Sequence, residues 1–290
     1  MVVPPDVVPE PVVCEGAELP SSVLFVAPYL QLATPTSMWV RWETETGPES
    51  RVDWGLTQAL GQATCGESWQ SWLDTPLHAV QLTGLEPDTR YFYRAVTGDV
   101  VSEISSFVTP ADPADKGPSR FVVVSDMQKD GGNPSVWREI VEEGVIPFMT
   151  ALMEGEVPGD PDIADAVDVV MIPGDLVDQG WDIGDWRDDF FPMASALSSQ
   201  VPIYPVLGNH EGNTPFFYDY FQLPDNGTPA YAEHWWWHDQ GNVRMIGMDS
   251  NSGFRIQVQL DWLDQVLQET CNDSVIDFVF AQLHHPFKSE

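Results

Sequence analysis

Basic residues are scarce in this chain. Its 290 residues hold 12 Lys and Arg against 45 Asp and Glu, a formal charge of −33. Such a surface repels polyanions, so nucleic acid and anionic membrane are excluded as bulk partners. An anionic substrate has to overcome that field locally, which favours bound cations at the site. Cysteine is scarce too: three residues are too few for a disulfide framework and lack zinc-knuckle spacing. Cys14 and Cys65 can pair within the first part of the chain and leave Cys271 alone, but the sequence does not decide this. No run approaches the ~20 apolar residues of a membrane-spanning helix. The first residues, Met1-Val-Val-Pro-Pro-Asp6, have neither the basic nor the apolar region of a secretion signal. Repeats are absent, and nothing in the sequence fixes an oligomeric state.

What is present divides in two. Residues 1–21 read as a Pro-rich extended lead-in. Residues 22–110 carry short strand-like runs at close spacing: Ser37 to Trp42, Ala79 to Leu85, Tyr91 to Val96 and Ser105 to Thr109. The first alternates apolar and polar residues as a half-buried strand does. This spacing predicts a β-sandwich, and Gly84 to Tyr93 resembles the corner between two late strands of fibronectin type III-like domains. His78 is expected to pack or face solvent there. Residues 111–118 are a polar, Pro/Gly-rich linker. From 119 to 290 strands alternate with helical patterns, which predicts an α/β domain. Helices are expected after Asn133-Pro134, over Asp185–Ser198 and over Arg255–Thr270. In the last, Ile256, Leu260, Leu263 and Leu267 recur at helical spacing and are expected in the core.

The chemistry gathers at strand ends. Val169 to Ile172 reads as a buried strand, closed by Pro173-Gly174 and followed by Asp175. Open α/β sheets keep their ligand sites at such carboxyl ends. Asp175 has two carboxylate oxygens and can bridge two metal ions about 3.5–4 Å apart. Three other apolar runs end alike, in Asp126-Met-Gln128, Gly208-Asn209-His210-Glu211 and His284-His285-Pro286. Asp126 and Gln128 offer oxygen donors on one face. Asn209 is a neutral oxygen ligand, His210 titrates near neutrality, and an imidazole such as His284 suits a transition metal. Each motif alone fits an ordinary turn or cap; four at matching positions do not.

Together these motifs resemble the calcineurin-like metallophosphoesterases. The sandwich, with Pro28-Tyr-Leu-Gln31, Gly84-Leu85 and Phe107-Val-Thr-Pro110, is similar to that of the purple acid phosphatase branch. The resemblance runs from about residue 22 and implies a second domain of the α/β/β/α sandwich kind. It implies two divalent or mixed-valence ions (Fe, Mn or Zn), one held by Asp126, Gln128 and Asp175, the other by Asp175, Asn209 and His284. His210 then stabilises or protonates the leaving oxygen, and His285 is supporting. The implied activity is hydrolysis of a phosphorylated small molecule or phosphodiester by in-line attack of a metal-bridging hydroxide. The implied location is extracellular or periplasmic. The alternative is a non-catalytic binding or surface protein on a degenerate or incomplete phosphoesterase fold.

Three departures stand out. The first motif of purple acid phosphatases lacks the Gln that stands here as Gln128, whereas Asp-x-His or Asp-x-Gln occurs in other branches. Asp178 occupies the position where purple acid phosphatases carry a Tyr, three residues past the bridging Asp. The family's last motif, Gly-His-x-His, does not occur in the 290 residues. On that reading the domain is C-terminally incomplete, weak or inactive by itself, and exposes an edge or apolar face near Leu283. The Trp235-Trp-Trp237 run is expected in the core rather than as a substrate platform. His234 and His238, four apart in a strand-like context, are not expected to share a metal. Asn226-Gly-Thr228 and Asn272-Asp-Ser274 match glycosylation sequons without further support.

Overall fold

The computed structural model describes residues 12–286 except 22, 71, 130 and 158; residues 1–11 of the Pro-rich lead-in lie outside the described residues. The first unit is a sandwich of two antiparallel sheets. Its strands are β1 (Leu24–Thr34), β2 (Ser37–Thr44), β3 (Arg51–Gly55), β4 (Gln62–Cys65), β5 (Glu67–Trp69), β6 (Leu77–Thr83), β7 (Arg90–Thr97), β8 (Val100–Val101) and β9 (Ser105–Val108). One sheet runs β1-β2-β6-β5 and the other β4-β3-β7-β8, with β9 also on β7. Met38, Val40 and Trp42 of β2 meet Val52, Tyr91, Tyr93 and Phe107 between the sheets. Cys14 and Cys65 form a disulfide, and Cys271 is free and exposed.

The polar face of β2 is not solvated, as a half-buried strand would leave it. Arg41 and Glu43 are buried because that face packs on the second unit. Arg41 donates to the Asp219 carbonyl at 2.6 Å. Arg187 donates from Nε to Glu43 at 3.1 Å and from Nη2 to its other oxygen, and Tyr220 Oη donates to Glu43 at 2.9 Å. Val26, Tyr29, Leu73 and Leu77 from the sandwich join one apolar cluster with Phe190, Phe191, Phe217, Tyr220 and Phe221. His78 is fully buried against Trp42, its ring nitrogens bonded to Thr44 and Ser50.

The second unit has two three-stranded sheets. β10 (Phe121–Val123), β11 (Val169–Ile172) and β12 (Ile203–Pro205) are parallel; β13 (Trp236–Gln240) is antiparallel to β14 (Val243–Gly247), which is parallel to β15 (Phe278–Gln282). All four residues of β11 are buried, as expected for a central parallel strand covered on both faces. The sheets face each other through Tyr204 against Trp236 and Phe121 against Phe280. Trp235 and Trp236 are fully buried and Trp237 lies under Arg244, so this run is core. β15 ends its sheet and exposes Phe278, Val279 and Phe280.

The helices differ from expectation in instructive ways. The first starts at Val136 rather than Pro134, because Asn133 bonds the Ser135 hydroxyl and the Glu139 carboxylate instead of capping. It passes through a π-helical stretch, Ile140–Val145, into Ile146–Ala151; the second likewise runs as Asp185–Phe190 and then Phe191–Ser198. Each wide stretch ends two residues before a proline, Pro147 or Pro192. Proline has no N–H for the i−4 bond and its ring crowds the preceding turn, so a wider turn relieves both conflicts. The third helix, Gln257–Cys271, buries Trp262 and Val266 with Gln259 and Thr270. The expected Leu stripe is thus not wholly core. Ile256 and Leu263 pack against the Trp235–Trp262 cluster, while Leu260 and Leu267 are exposed. No helix among the described residues is long and apolar enough to cross a membrane.

Candidate metal centre

Three parallel strand ends and the turn after β15 converge on Asp175. The loops after β10 and β11 are zipped together, Asp126 N–H donating to the Gly174 carbonyl and Met127 N–H to the Asp175 carbonyl at 2.9 Å. Asp126 and Asp175 both adopt the left-handed region, with φ of 58° and 54°. A non-glycine residue there is held by its surroundings, a state that concentrates at functional sites. The third loop comes in directly: a Cβ on Gly208 would stand 2.1 Å from Asp175 Oδ1, so only glycine allows that approach.

Glu211 locks the loops. Its carboxylate is fully buried and accepts four backbone N–H groups, from Asp175 (3.0 Å), Leu176 (2.7 Å), Val177 (3.4 Å) and Gly208 (2.7 Å). Burial pushes its carboxyl pKa up, yet four donors and no acceptor around it require the ionised form.

The six residues expected at the site lie together. One ligand atom each from Asp126, Asp175 and His284 falls within 4.8 Å of the others. His284 Nδ1 lies 2.9 Å from the Pro173 carbonyl, which only an N–H can satisfy. Its Nε2 faces Asp175 Oδ2 and Asn209 Oδ1, each 3.2 Å away. Two oxygens and one imidazole nitrogen facing one point are satisfied by a proton on Nε2 or by a shared cation. Gln128 Nε2 lies 3.5 Å from Asp175 Oδ2, and its Oε1 is buried without a hydrogen-bond partner among the described residues. Rotating that amide by half a turn brings the orphaned oxygen to the site. These donors fit hard or borderline cations. His210 Nδ1 donates to the Asp178 carbonyl at 2.6 Å, leaving Nε2 3.8 Å from Asp175 Oδ2. That carbonyl, with the carboxylates of Asp175, Asp178 and Glu211, raises the His210 pKa against a smaller opposing effect of burial. His285 stands beside the centre, bonded to Ser250.

Comparison with known families agrees with this geometry. Residues 119–289 match the model for the Calcineurin-like phosphoesterase. The chain belongs to that family. Residues 26–109 match the model for the purple acid phosphatase N-terminal domain. Purple acid phosphatase 23 of Arabidopsis thaliana is 25% identical over 317 residues, covering 89% of this chain and 64% of the relative. The chain therefore spans somewhat under two thirds of that protein. Among solved structures, the purple acid phosphatase PPD1 of yellow lupin (Lupinus luteus) seeds superposes with TM-score 0.60 at 18% identity, covering 84% of this chain and 48% of that one. PhoD gives TM-score 0.54 at 14% identity, covering 80% and 53%. Both share the fold. Membership of the calcineurin-like phosphoesterases implies a binuclear metal centre.

Within this phosphoesterase domain some contributors had no individual signal. Ser125 Oγ donates to Asp126 Oδ2 at 2.5 Å. Asn251 Nδ2 reaches the Leu207 and Gly208 carbonyls, and its own N–H is held by buried Asp249. Asp249-Ser-Asn251 follows β14 as the other motifs follow their strands, so the same strand-end pattern points to it. His234 binds Asp249 and Tyr218, His238 binds Tyr204, and the two share no site. Asn226 spends its amide on both backbone groups of Trp237 and is a structural bridge.

Proposed function

We propose that this chain is the site-bearing part of a metal-dependent phosphoester hydrolase acting on a phosphorylated small molecule or phosphodiester. The convergence of His284 Nε2, Asp175 Oδ2 and Asn209 Oδ1 on one point carries the reading. On it, Asp126, Gln128 and Asp175 would hold one ion, and Asp175, Asn209 and His284 the other. Two bound cations supply a water of lowered pKa and neutralise charge on the phosphoryl oxygens. The chain's own residues do the rest. Asp175 would serve both positions: its Oδ2 faces His284 Nε2 at 3.2 Å and Gln128 Nε2 at 3.5 Å, while Oδ1 accepts the His210 N–H at 3.0 Å. Glu211 fixes the backbone of Asp175 and of Gly208, one residue before Asn209. His210, its Nδ1–H tied to Asp178, keeps a proton at Nε2 for the leaving oxygen. The division at residues 111–118, with a sandwich over 22–110 and the phosphoesterase domain over 119–290, belongs to the same proposal. The Cys14–Cys65 disulfide supports an oxidising location, extracellular or periplasmic. The convergence of all six donors favours catalysis over a purely structural use of the fold.

Metal stoichiometry tests the assignment without relying on turnover. Asp175→Ala should lose both ions, because one side chain serves two positions, whereas Asn209→Ala should mainly weaken one. Two full equivalents retained by Asp175→Ala would sink it.

A further inference from the structure

Beside the candidate centre a large indole stands in solvent. Trp181 is 61% exposed and forms the wall of a shallow concavity of about 330 Å³ with Asp178, Gln179, Gly180, Asn209 and His210. Leaving so much apolar surface wet is unfavourable unless it is used. The indole is not on a loose loop. Gln179 and Asp182 close a turn around it through Asp182 N–H on the Gln179 carbonyl at 2.8 Å. Gly180 N–H donates to the His210 carbonyl, and the Gly180 carbonyl accepts from Trp186 Nε1, both at 2.9 Å. A Cβ on Gly180 would stand 2.1 Å from the Glu211 carbonyl oxygen, so the turn lies flat on the loop that carries His210. The position of Trp181 relative to Asn209 and His210 is therefore fixed by backbone contacts.

The charge around the indole is net negative. Asp178 is half exposed and Asp182, next to Trp181 in the chain, is exposed; His210 also lines the concavity, its Nδ1 3.6 Å from Asp178 Oδ1, and among the described residues no Lys or Arg does. Lys129, close by in the same acidic region, pairs with Asp189 at 2.8 Å. An aromatic face beside carboxylates that outnumber the one imidazole attracts a soft organic cation and repels additional phosphate.

We propose that Trp181, with Asp178 and Asp182, recognises a substituted ammonium group, so that the favoured phosphoester has an alcohol leaving group carrying a quaternary or alkylated amine. The substrate assignment rests on the hydrolase reading; the ammonium site does not. The test accordingly separates binding from turnover. The metal-free 290-residue protein is titrated with choline and with 3,3-dimethylbutan-1-ol, its uncharged isostere, following tryptophan fluorescence and ligand NMR line widths. Choline should bind, the isostere should bind roughly fivefold more weakly or worse, and Trp181→Ala should weaken choline by about fivefold or more. Trp181→Phe should keep most of the affinity, Asp178→Asn/Asp182→Asn should lose part of it, and the Trp181→Ala melting temperature should match the parent. Equal binding of choline and its isostere overturns the proposal, as does unchanged choline binding in Trp181→Ala or no choline binding at all. With metal added, phosphocholine should be turned over with higher kcat/KM than methyl phosphate, and only the former should fall in Trp181→Ala. Choline binding in a protein inert toward every phosphoester upholds the ammonium site and overturns the hydrolase reading alone.

Discussion

Replacing Glu211 by glutamine changes one atom, yet the surroundings make it a severe change. Glu211 Oε1 accepts the N–H groups of Leu176 and Val177, and Oε2 those of Asp175 and Gly208. An amide keeps one oxygen, so it serves one pair and turns its NH₂ on the other. Two buried backbone donors then lose their acceptor, at about 1–3 kcal/mol each, and the amide hydrogens meet donors rather than acceptors. The expected loss is about 4 kcal/mol, a large part of the roughly 5–15 kcal/mol that stabilises a domain. For a unit of this size that is a fall in melting temperature of roughly 10 °C. Either pair anchors a loop of the site, Leu176 and Val177 directly after Asp175 or Asp175 and Gly208 themselves, so metal affinity should fall in the variant molecules that remain folded. Thermal and urea denaturation with a parallel metal titration measure both. A melting temperature within about 2 °C of the parent, with unchanged metal affinity, would refute the argument.

Burial holds the His78 pKa down at about 3, against 6.5 for the free side chain. The unfolded chain therefore takes up a proton below pH 6.5 that the folded one refuses until about pH 3. Stability from this residue is intact above 6.5 and drains away between 6.5 and 3 at about 1.4 kcal/mol per pH unit. His78→Gln should flatten that part of the stability profile, measured by urea midpoints at stepped pH. Arg187→Ala should cost about 3–5 kcal/mol, because Glu43 stays buried and charged with only hydroxyl donors left; a loss under 1 kcal/mol in urea titration would contradict this. Asp178 stands where a tyrosinate would be needed, so protein loaded with iron should show no strong phenolate-to-iron band in its visible spectrum.

How much of this was legible in the sequence depended on range. The strand ends were readable because a short apolar run, a breaker and a polar residue are all local: Val169–Ile172, Pro173-Gly174 and Asp175 follow one another along the chain. That β10, β11 and β12 lie side by side then follows from parallel α/β topology, and brings Asp126, Asp175 and Asn209 to one edge. What a neighbour decides was not readable. Arg41 and Glu43 look like the solvent face of β2, and only the second unit buries them. Leu260 and Leu267 have core-like spacing, but Trp262 and Val266 offer a larger apolar surface and turn the helix toward Trp235 instead. Glu211 was visible as part of a motif, but its role depends on N–H groups 34–36 residues away along the chain. The π-helical stretches show the reverse: Pro147 and Pro192 were plain in the sequence, and what they do to the preceding turn emerges only in three dimensions.

The two family matches, 26–109 and 119–289, invite a picture of separable modules joined by a linker. The packing contradicts that picture. Tyr29 from β1 sits among Phe191, Tyr220 and Phe221, with its hydroxyl on the Tyr220 carbonyl, and Tyr93 of β7 donates to the Ser199 carbonyl. Arg90 of the same strand grips Asp162 and Asp165 at the start of a helix in the other unit. Neither half owns a complete inner surface, so the sandwich works less as a passenger than as the floor on which the helix Pro215–Tyr220, just past the Asn209–His210 loop, is laid. Recombination that swapped in a different sandwich would have to bring a matching Tyr29, Arg41 and Glu43 with it, which ties the ancestry of one half to that of the other.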